Sequence, residues 1–256
     1  MGPAKKNIIG IIIEVRSTSS RLPNKHFYKI NNKPILELMI NRVKKIKGID
    51  KIILATTKNK EDDKICKLAK KKKINYFRGS ENNVTQRVLK SAQKFRLKTI
   101  CTITGDCPII DINLVNQLIS TFLDNFSKID YARNSDGLPN GMGCQIFKTQ
   151  TLKKSYSQIK DNLEEQEHVT LHIKRNPKKF RILNLKHPKK YFWPNLGVTL
   201  DELNDFKLLK KIILYFIKRK KPYFDCLDVI DLLRNKKKHW LKINKNVFRK
   251  DELIRY

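Results

Sequence analysis

The chain is short of acid. Its 256 residues carry 24 Asp and Glu against 56 Lys and Arg, a formal net charge of +32. Such an excess by itself points to nucleic acid, an anionic membrane or an acidic polymer. The lysines, however, run through every segment, and Asn and Ile are equally plentiful. All three have A- and T-rich codons, so base composition accounts for much of the charge. No nucleic-acid motif is present, and the aromatic residues, 9% of the chain, do not interleave with the basic runs as a stacking platform requires. The densest basic run, Lys70 to Lys73, reads as the exposed end of a helix. Nucleic acid is therefore not an expected partner.

Paired cysteines are missing as well. Cys66, Cys101, Cys107, Cys144 and Cys226 form no C-x-x-C, and their odd number and loose spacing exclude a disulfide framework and a zinc site of the usual pattern. A cytoplasmic protein is expected. The apolar run that follows Met1 to Lys6 is too short to span a bilayer and lacks a cleavage site, so no membrane insertion is expected. There is no repeat and no low-complexity linker. With 40% hydrophobic residues, the length suits one large globular domain with an appendage.

What is present alternates. Ile8 to Val15 is an almost unbroken apolar run, as expected of a parallel strand buried on both faces. Leu36, Met39, Ile40, Val43 and Ile46 then recur at helical spacing behind Pro34. Lys51 to Ala55 predicts a strand, Ile65, Leu68 and Ala69 a helix face, Tyr76-Phe77 a short strand, and Val84 to Phe95 a helix. Thr99 to Thr104 predicts a strand, and Asp111 caps a helix with Leu114, Val115, Leu118, Ile119 and Phe122 inward. Alternation of this kind predicts an α/β fold with a Rossmann-like, mostly parallel sheet flanked by helices.

The rhythm changes at the turn-rich stretch Arg133 to Gly143. A strand over Cys144 to Phe147, helices over Thr151 to Lys160 and Glu164 to Arg175, and a strand over Phe180 to Leu185 follow. Residues 133–195 thus read as a β-rich insertion for acceptor binding or dimer contacts, within an α/β domain of residues 7–220. Gly197 to Asp201 predicts a last strand and Phe206, Leu209, Ile213 and Phe216 a helix, before a helical C-terminal appendage of residues 221–256.

Two places carry the chemistry. The loop after the first strand, Arg16 to Lys25, holds Arg16, Arg21 and Lys25 with several hydroxyls and no apolar anchor except Leu22. Open α/β sheets bind anions at such strand ends, so a polyphosphate cradle is expected there. Gly105-Asp106-Cys107-Pro108 supplies a glycine for close backbone approach and a carboxylate at another strand end, a metal-and-phosphate corner.

The same residues carry a resemblance. R-S-T-S-S-R-L-P-N-K from Arg16 to Lys25 is similar to the R-x-G-S-x-R-L-P-G-K signature of the cytidylyltransferases that activate acidic sugars such as Kdo and sialic acids. N-K-P-I-L-E, R-G-S-E, T-G-D-C-P-I-I-D, E-H-V-T and V-T-L-D-E-L-N-D-F follow in that family's order, and they most resemble its spore coat polysaccharide subgroup. The resemblance spans nearly the whole chain. It implies a fold of the nucleotide-diphospho-sugar transferase type and transfer of CMP from CTP to a small acidic acceptor, with release of pyrophosphate. It also implies that Arg16, Arg21 and Lys25 hold the triphosphate, that Ser19 and Ser20 donate to it, and that Asp106 and Asp201 bind Mg²⁺. By the same analogy Val15, Gly79, Ser80 and Gly105 line the nucleotide site, and the protein is a homodimer.

The pattern also departs from the signature. Thr18 and Asn24 replace loop glycines, Gly143 and Gln145 replace two acids of the subgroup, and Gly197 replaces an arginine. The acceptor side is thus the more altered one. Transfer to another acceptor, a sugar phosphate or a phosphonate, is the nearest alternative. A glycosyltransferase is another, but no D-x-D occurs. His168 and His172 form an H-x-x-x-H, and His168 reads as a structural or dimer-contact residue.

Overall fold

The computed structural model describes residues 7–134, 137–159 and 161–247. Ser135 and Asp136 of the expected turn, Lys160 at the end of an expected helix, the lead-in of residues 1–6 and the chain from 248 onward lie outside them.

β1 (Ile9–Glu14) lies between β4 (Lys51–Thr57) and β6 (Thr99–Thr104), parallel to both, and β5 (Asn75–Gly79) extends the parallel sheet beyond β4. Ile11 and Ile13 face one side of the sheet and Ile12 the other, all three fully buried. That two-sided burial is why the strand has no polar alternation. The first side is covered by α1 (Ile35–Val43), α2 (Asp63–Lys71) and α4 (Ile112–Asp124), the second by α3 (Val84–Lys94), α5 (Thr149–Tyr156) and α7 (Leu171–Arg175). As expected, Asp111 caps α4, accepting the N–H groups of Asn113 and Leu114 at 2.7 and 2.9 Å. A short hairpin of β2 (Lys29–Ile30) and β3 (Lys33–Pro34) leads into α1.

The segment from Tyr131 onward widens this same sheet. β7 (Tyr131–Asn134), which the sequence pattern did not show, β8 (Gln145–Lys148) and β9 (Ile182–Leu185) complete the order β5-β4-β1-β6-β8-β7-β9. β8 runs antiparallel to both neighbours. The expected helix over 164–175 is two short ones, α6 (Leu163–Glu167) and α7, because His168 between them is extended at φ −104°, ψ 95°. His168 and His172 therefore do not share a helix face, and their spacing does not chelate.

Gly197 to Asp201 is not a strand. Its backbone makes one isolated bridge, Gly197 to Asn140, and Leu200 donates instead to the Asp106 carbonyl at 2.8 Å. This buried strip hands the chain to α8 (Leu203–Lys218) and then α9 (Cys226–Asp231). α8 and α9 share a core with Leu22 of the opening loop and Ile109. Arg42 of α1, buried, donates to the carbonyls of Pro222 and Phe224 and pins the chain between the two helices. Among the described residues no helix is long and apolar enough to cross a membrane.

Candidate active site

At Glu14 the sheet ends and the chain enters the Arg16 to Lys25 loop. Its shape is set by backbone and by one buried carboxylate. The Ser17 carbonyl accepts the N–H groups of Ser19 and Asn24 at 3.0 and 3.1 Å, and the Ser17 N–H donates to Asp62 Oδ1 at 2.7 Å. Asp62 also accepts from Thr56 Oγ1 at 2.8 Å, Thr57 Oγ1 at 2.6 Å and the Thr57 N–H at 3.1 Å. Burial pushes this carboxyl up, yet the bonds from Thr57, Thr56 and Ser17 together hold it below its ordinary value. Asn24 turns the loop at φ 58°, a left-handed conformation that Asn tolerates.

Four of the expected residues meet. Arg21 Nη2 donates to Asp201 Oδ1 at 2.8 Å, and Lys25 Nζ reaches the same oxygen at 3.3 Å. Lys25 Nζ also stands 4.0 Å from Asp106 Oδ2. Asp201 is oriented from behind, with Thr199 Oγ1 on its Oδ2 at 3.1 Å and its own N–H donated to Asp205 at 3.1 Å. Thr104 Oγ1 fixes Asp106 at 2.5 Å. Gly105 donates to the Glu14 carbonyl at 2.8 Å, and a Cβ there would stand 2.9 Å from that oxygen, so this close crossing requires glycine.

The other expected residues lie around this centre. Arg16 Nη1 donates to the Glu81 carbonyl at 3.3 Å, and its Nη2 is 3.9 Å from Glu167. Arg87, buried, donates to the carbonyls of Ser80 and Glu81, which brings the Gly79-Ser80 turn beside Arg16. Ser19 and Ser20 occupy the outer part of the loop, Ser20 exposed. Val15 turns its side chain into the core and donates its N–H to the Ala55 carbonyl, so it offers a ligand no donor. Behind the loop His26 is buried, and desolvation together with the Lys25 charge pushes its imidazole down to about 3.

Next to the loop a cleft of about 440 Å³ opens across the sheet end. Glu14, Thr102 and Thr104 lie along its floor, with Arg133, Gln145, Glu167, His168 and Lys174 around them. His168 thus belongs to the cleft wall. His172 does not: it pairs with Glu165 at 2.9 Å within the protein. Asp106 and Asp201 form a pair of hard oxygen donors, and no cluster of three His, Cys, Asp or Glu suited to a metal occurs among the described residues.

Asp62, Asp205, Glu14 and Arg87 were not among the residues read from the sequence. Glu14 alone left a signal there, a single acid closing an apolar strand. Asp62 and Asp205 look like ordinary helix-start acids until the loops they hold are folded against them.

Known proteins are similar to this chain in sequence and in fold. The spore coat polysaccharide biosynthesis protein SpsF of Bacillus subtilis is 30% identical over 233 residues, 89% of this chain and 94% of that one. The structure of a cytidylyltransferase from Leptospira borgpetersenii serovar Hardjo-bovis superposes with a TM-score of 0.83 at 30% identity, covering 94% of this chain and 98% of that one. CMP:2-keto-3-deoxy-manno-octonic acid synthetase, in a complex with CTP, shares the fold at a TM-score of 0.61 and 16% identity, over 81% of this chain and 99% of that one. The sequence pattern of the cytidylyltransferases matches residues 10–236, and the chain belongs to that family.

Proposed function

We propose that the chain transfers CMP from CTP to a hydroxyl of an acidic sugar of the Kdo or nonulosonate type, releasing pyrophosphate. The observation that carries this reading is the meeting of Arg21, Lys25, Asp106 and Asp201, next to a polar cleft lined by Thr104 and Cys107 on either side of Asp106, in a chain of the cytidylyltransferase family. Attack on the α-phosphorus needs little covalent help and much neutralisation of charge. Arg21 and Lys25 hold the triphosphate, with Arg16 at its flank. The acceptor lies in the cleft, where Arg133 and Lys174 face its carboxylate.

Asp106 and Asp201 fit a hard cation that keeps several waters and takes phosphate oxygens as its remaining ligands. They are the residues that would hold Mg²⁺, which when bound supplies charge neutralisation on the triphosphate. In the ligand-free arrangement Lys25 is held between these two carboxylates. Binding of the nucleotide releases its ammonium toward the phosphates.

Pyrophosphate release with each of the four nucleoside triphosphates, Mg²⁺ and a panel of acidic sugars tests the reading. Turnover with CTP and at least one 3-deoxy sugar acid is expected, with the CMP-sugar seen by mass spectrometry. Turnover restricted to sugar phosphates or phosphonates, or to another triphosphate, would overturn it.

A further inference from the structure

The buried or half-buried carboxylates around the site are tied down, with one exception. Asp62 has its four donors, Asp111 accepts from the N–H groups of Asn113, Leu114 and Cys226, and Asp205 accepts from those of Asp201 and Glu202. Glu14 is different. No side-chain hydrogen bond or ion pair reaches its carboxyl from any described residue, although it sits half-buried at the end of the central strand. Arg87, whose charge acts on it, donates its Nη1 to the carbonyls of Ser80 and Glu81. Burial lifts the carboxyl to about 7, the Arg87 charge opposing and the Asp106 charge adding to the rise.

Register shows what this carboxyl faces. Glu14 pairs with Thr104, two residues back Thr102 pairs with Gln145, and Gln145 pairs with Arg133. Residues paired across strands share a face of the sheet, so a polar row crosses β1, β6, β8 and β7 along the cleft floor. Glu14 is the end of that row nearest Asp106 and the loop, and Arg133 lies three strands away. Partial burial of this carboxyl costs stability, and its place on the cleft floor beside the Arg16 to Lys25 loop gives a donating ligand group access to it.

We propose that Glu14 receives the attacking hydroxyl of the acceptor and so restricts the enzyme to hydroxyl nucleophiles. This rests on the nucleotidyl-transfer reading above. The hydroxyl oxygen forms a bond to the α-phosphorus of CTP, the bond from that phosphorus to the bridging oxygen breaks, and its electron pair leaves with pyrophosphate. The hydroxyl proton passes to the Glu14 carboxylate. A phosphate or phosphonate oxygen brings no such proton, and its negative charge is repelled by the Glu14 carboxylate. Glu14 thus separates the sugar-acid reading from the sugar-phosphate alternative.

The test is Glu14→Gln and Glu14→Ala in the full chain. With CTP, Mg²⁺ and a 3-deoxy sugar acid, kcat is expected to fall about 100-fold or more in both variants, with the Kd for CTP by calorimetry within about twofold of the wild type. The ratio of turnover with glucose 1-phosphate to turnover with the sugar acid should rise in Glu14→Gln, which removes the repelling charge. Because the carboxyl has no partner in the fold, the melting temperature of ligand-free Glu14→Gln at pH 8 should be above that of the wild type. Near-normal kcat in Glu14→Gln, or a lowered melting temperature, would overturn the proposal. A wild-type chain inactive with every acceptor would overturn the functional reading instead, and the melting temperature would still decide whether Glu14 is an unpartnered carboxyl.

Discussion

The Arg16 to Lys25 loop and the cleft lie on either side of one strand end, and they hold their charges differently. In the loop the charges are held by partners: Arg21 and Lys25 by Asp201, Arg16 beside Glu167, and Asp62 by the neutral donors of Ser17, Thr56 and Thr57. In the cleft Glu14 faces open space. Preformed, paired charges make a site whose cations are held in place until an anionic ligand competes for them. An open polar row makes a site whose selectivity depends on what the visitor donates. The loop therefore suits the part of the reaction common to the family and the cleft the part in which members differ, in keeping with the departures at Gly143 and Gln145.

Substitutions that strike one side should separate the two most sharply. Lys25→Ala removes the cation that both site carboxylates share, and kcat is expected to fall about 1,000-fold with the KM for the acceptor little changed. Lys174→Ala, on the cleft wall, should raise the acceptor KM about 10-fold and leave kcat and the affinity for CTP near normal. Steady-state kinetics with each substrate varied in turn checks both. If Lys25→Ala chiefly raised the acceptor KM, the division between phosphate loop and acceptor cleft would be wrong.

Acidification tests the two sides through stability. The neutral His26 behind the loop has its imidazole pushed down to about 3 from an ordinary 6.5. Its contribution is therefore fully present above pH 6.5 and is lost as pH falls toward 3. Glu14 works the other way: its carboxyl is raised from 4.5 to about 7, so the folded state is penalised increasingly as pH rises through that interval. Between pH 7 and pH 5 the His26 effect costs about 2 kcal/mol and the Glu14 effect returns about as much. Urea unfolding of the ligand-free protein at the two pH values should show His26→Gln gaining stability on acidification relative to the wild type, and Glu14→Gln losing it. Parallel shifts in the two variants would contradict the opposite signs.

Much of this arrangement was legible in the sequence because it depends on period and order. A two-sided apolar strand, helices with one apolar stripe and an Asp cap are local signals, and the parallel sheet follows from their alternation. Arg21, Lys25 and Asp106 stand out with them as charges at strand ends, and Asp201 through the family resemblance. What was hidden depends on tertiary contact. β7 is a four-residue strand whose identity comes from the neighbours it pairs with, and Gly197 to Asp201 looks like a strand because it is buried and β-branched, although its donors go to loops. Asp62 gains its role only when Ser17 is folded onto it, and Glu14 only when β6 and β8 lay out the polar row.

The smallest expected effects concern the two positions where the loop departs from glycine. A glycine usually serves where backbone must be left-handed or must approach a ligand without a Cβ. Asn24 meets the first need itself at φ 58°, and its N–H is spent on the Ser17 carbonyl, so its side chain is not what shapes the turn. Asn24→Gly should then change stability by no more than about 0.5 kcal/mol, whereas Asn24→Val, which strains the same backbone, should cost about 1 to 2 kcal/mol. Thr18 is exposed and donates to Glu81, away from the meeting point of Arg21, Lys25 and Asp201. Thr18→Gly should cost about 1 kcal/mol or less and leave the KM for CTP within about threefold. Denaturant unfolding and CTP kinetics on the three variants decide the point. A large gain in CTP affinity in either glycine variant would mean that these side chains stand in the nucleotide's way and that the loop is less well preformed than its ion pairs imply.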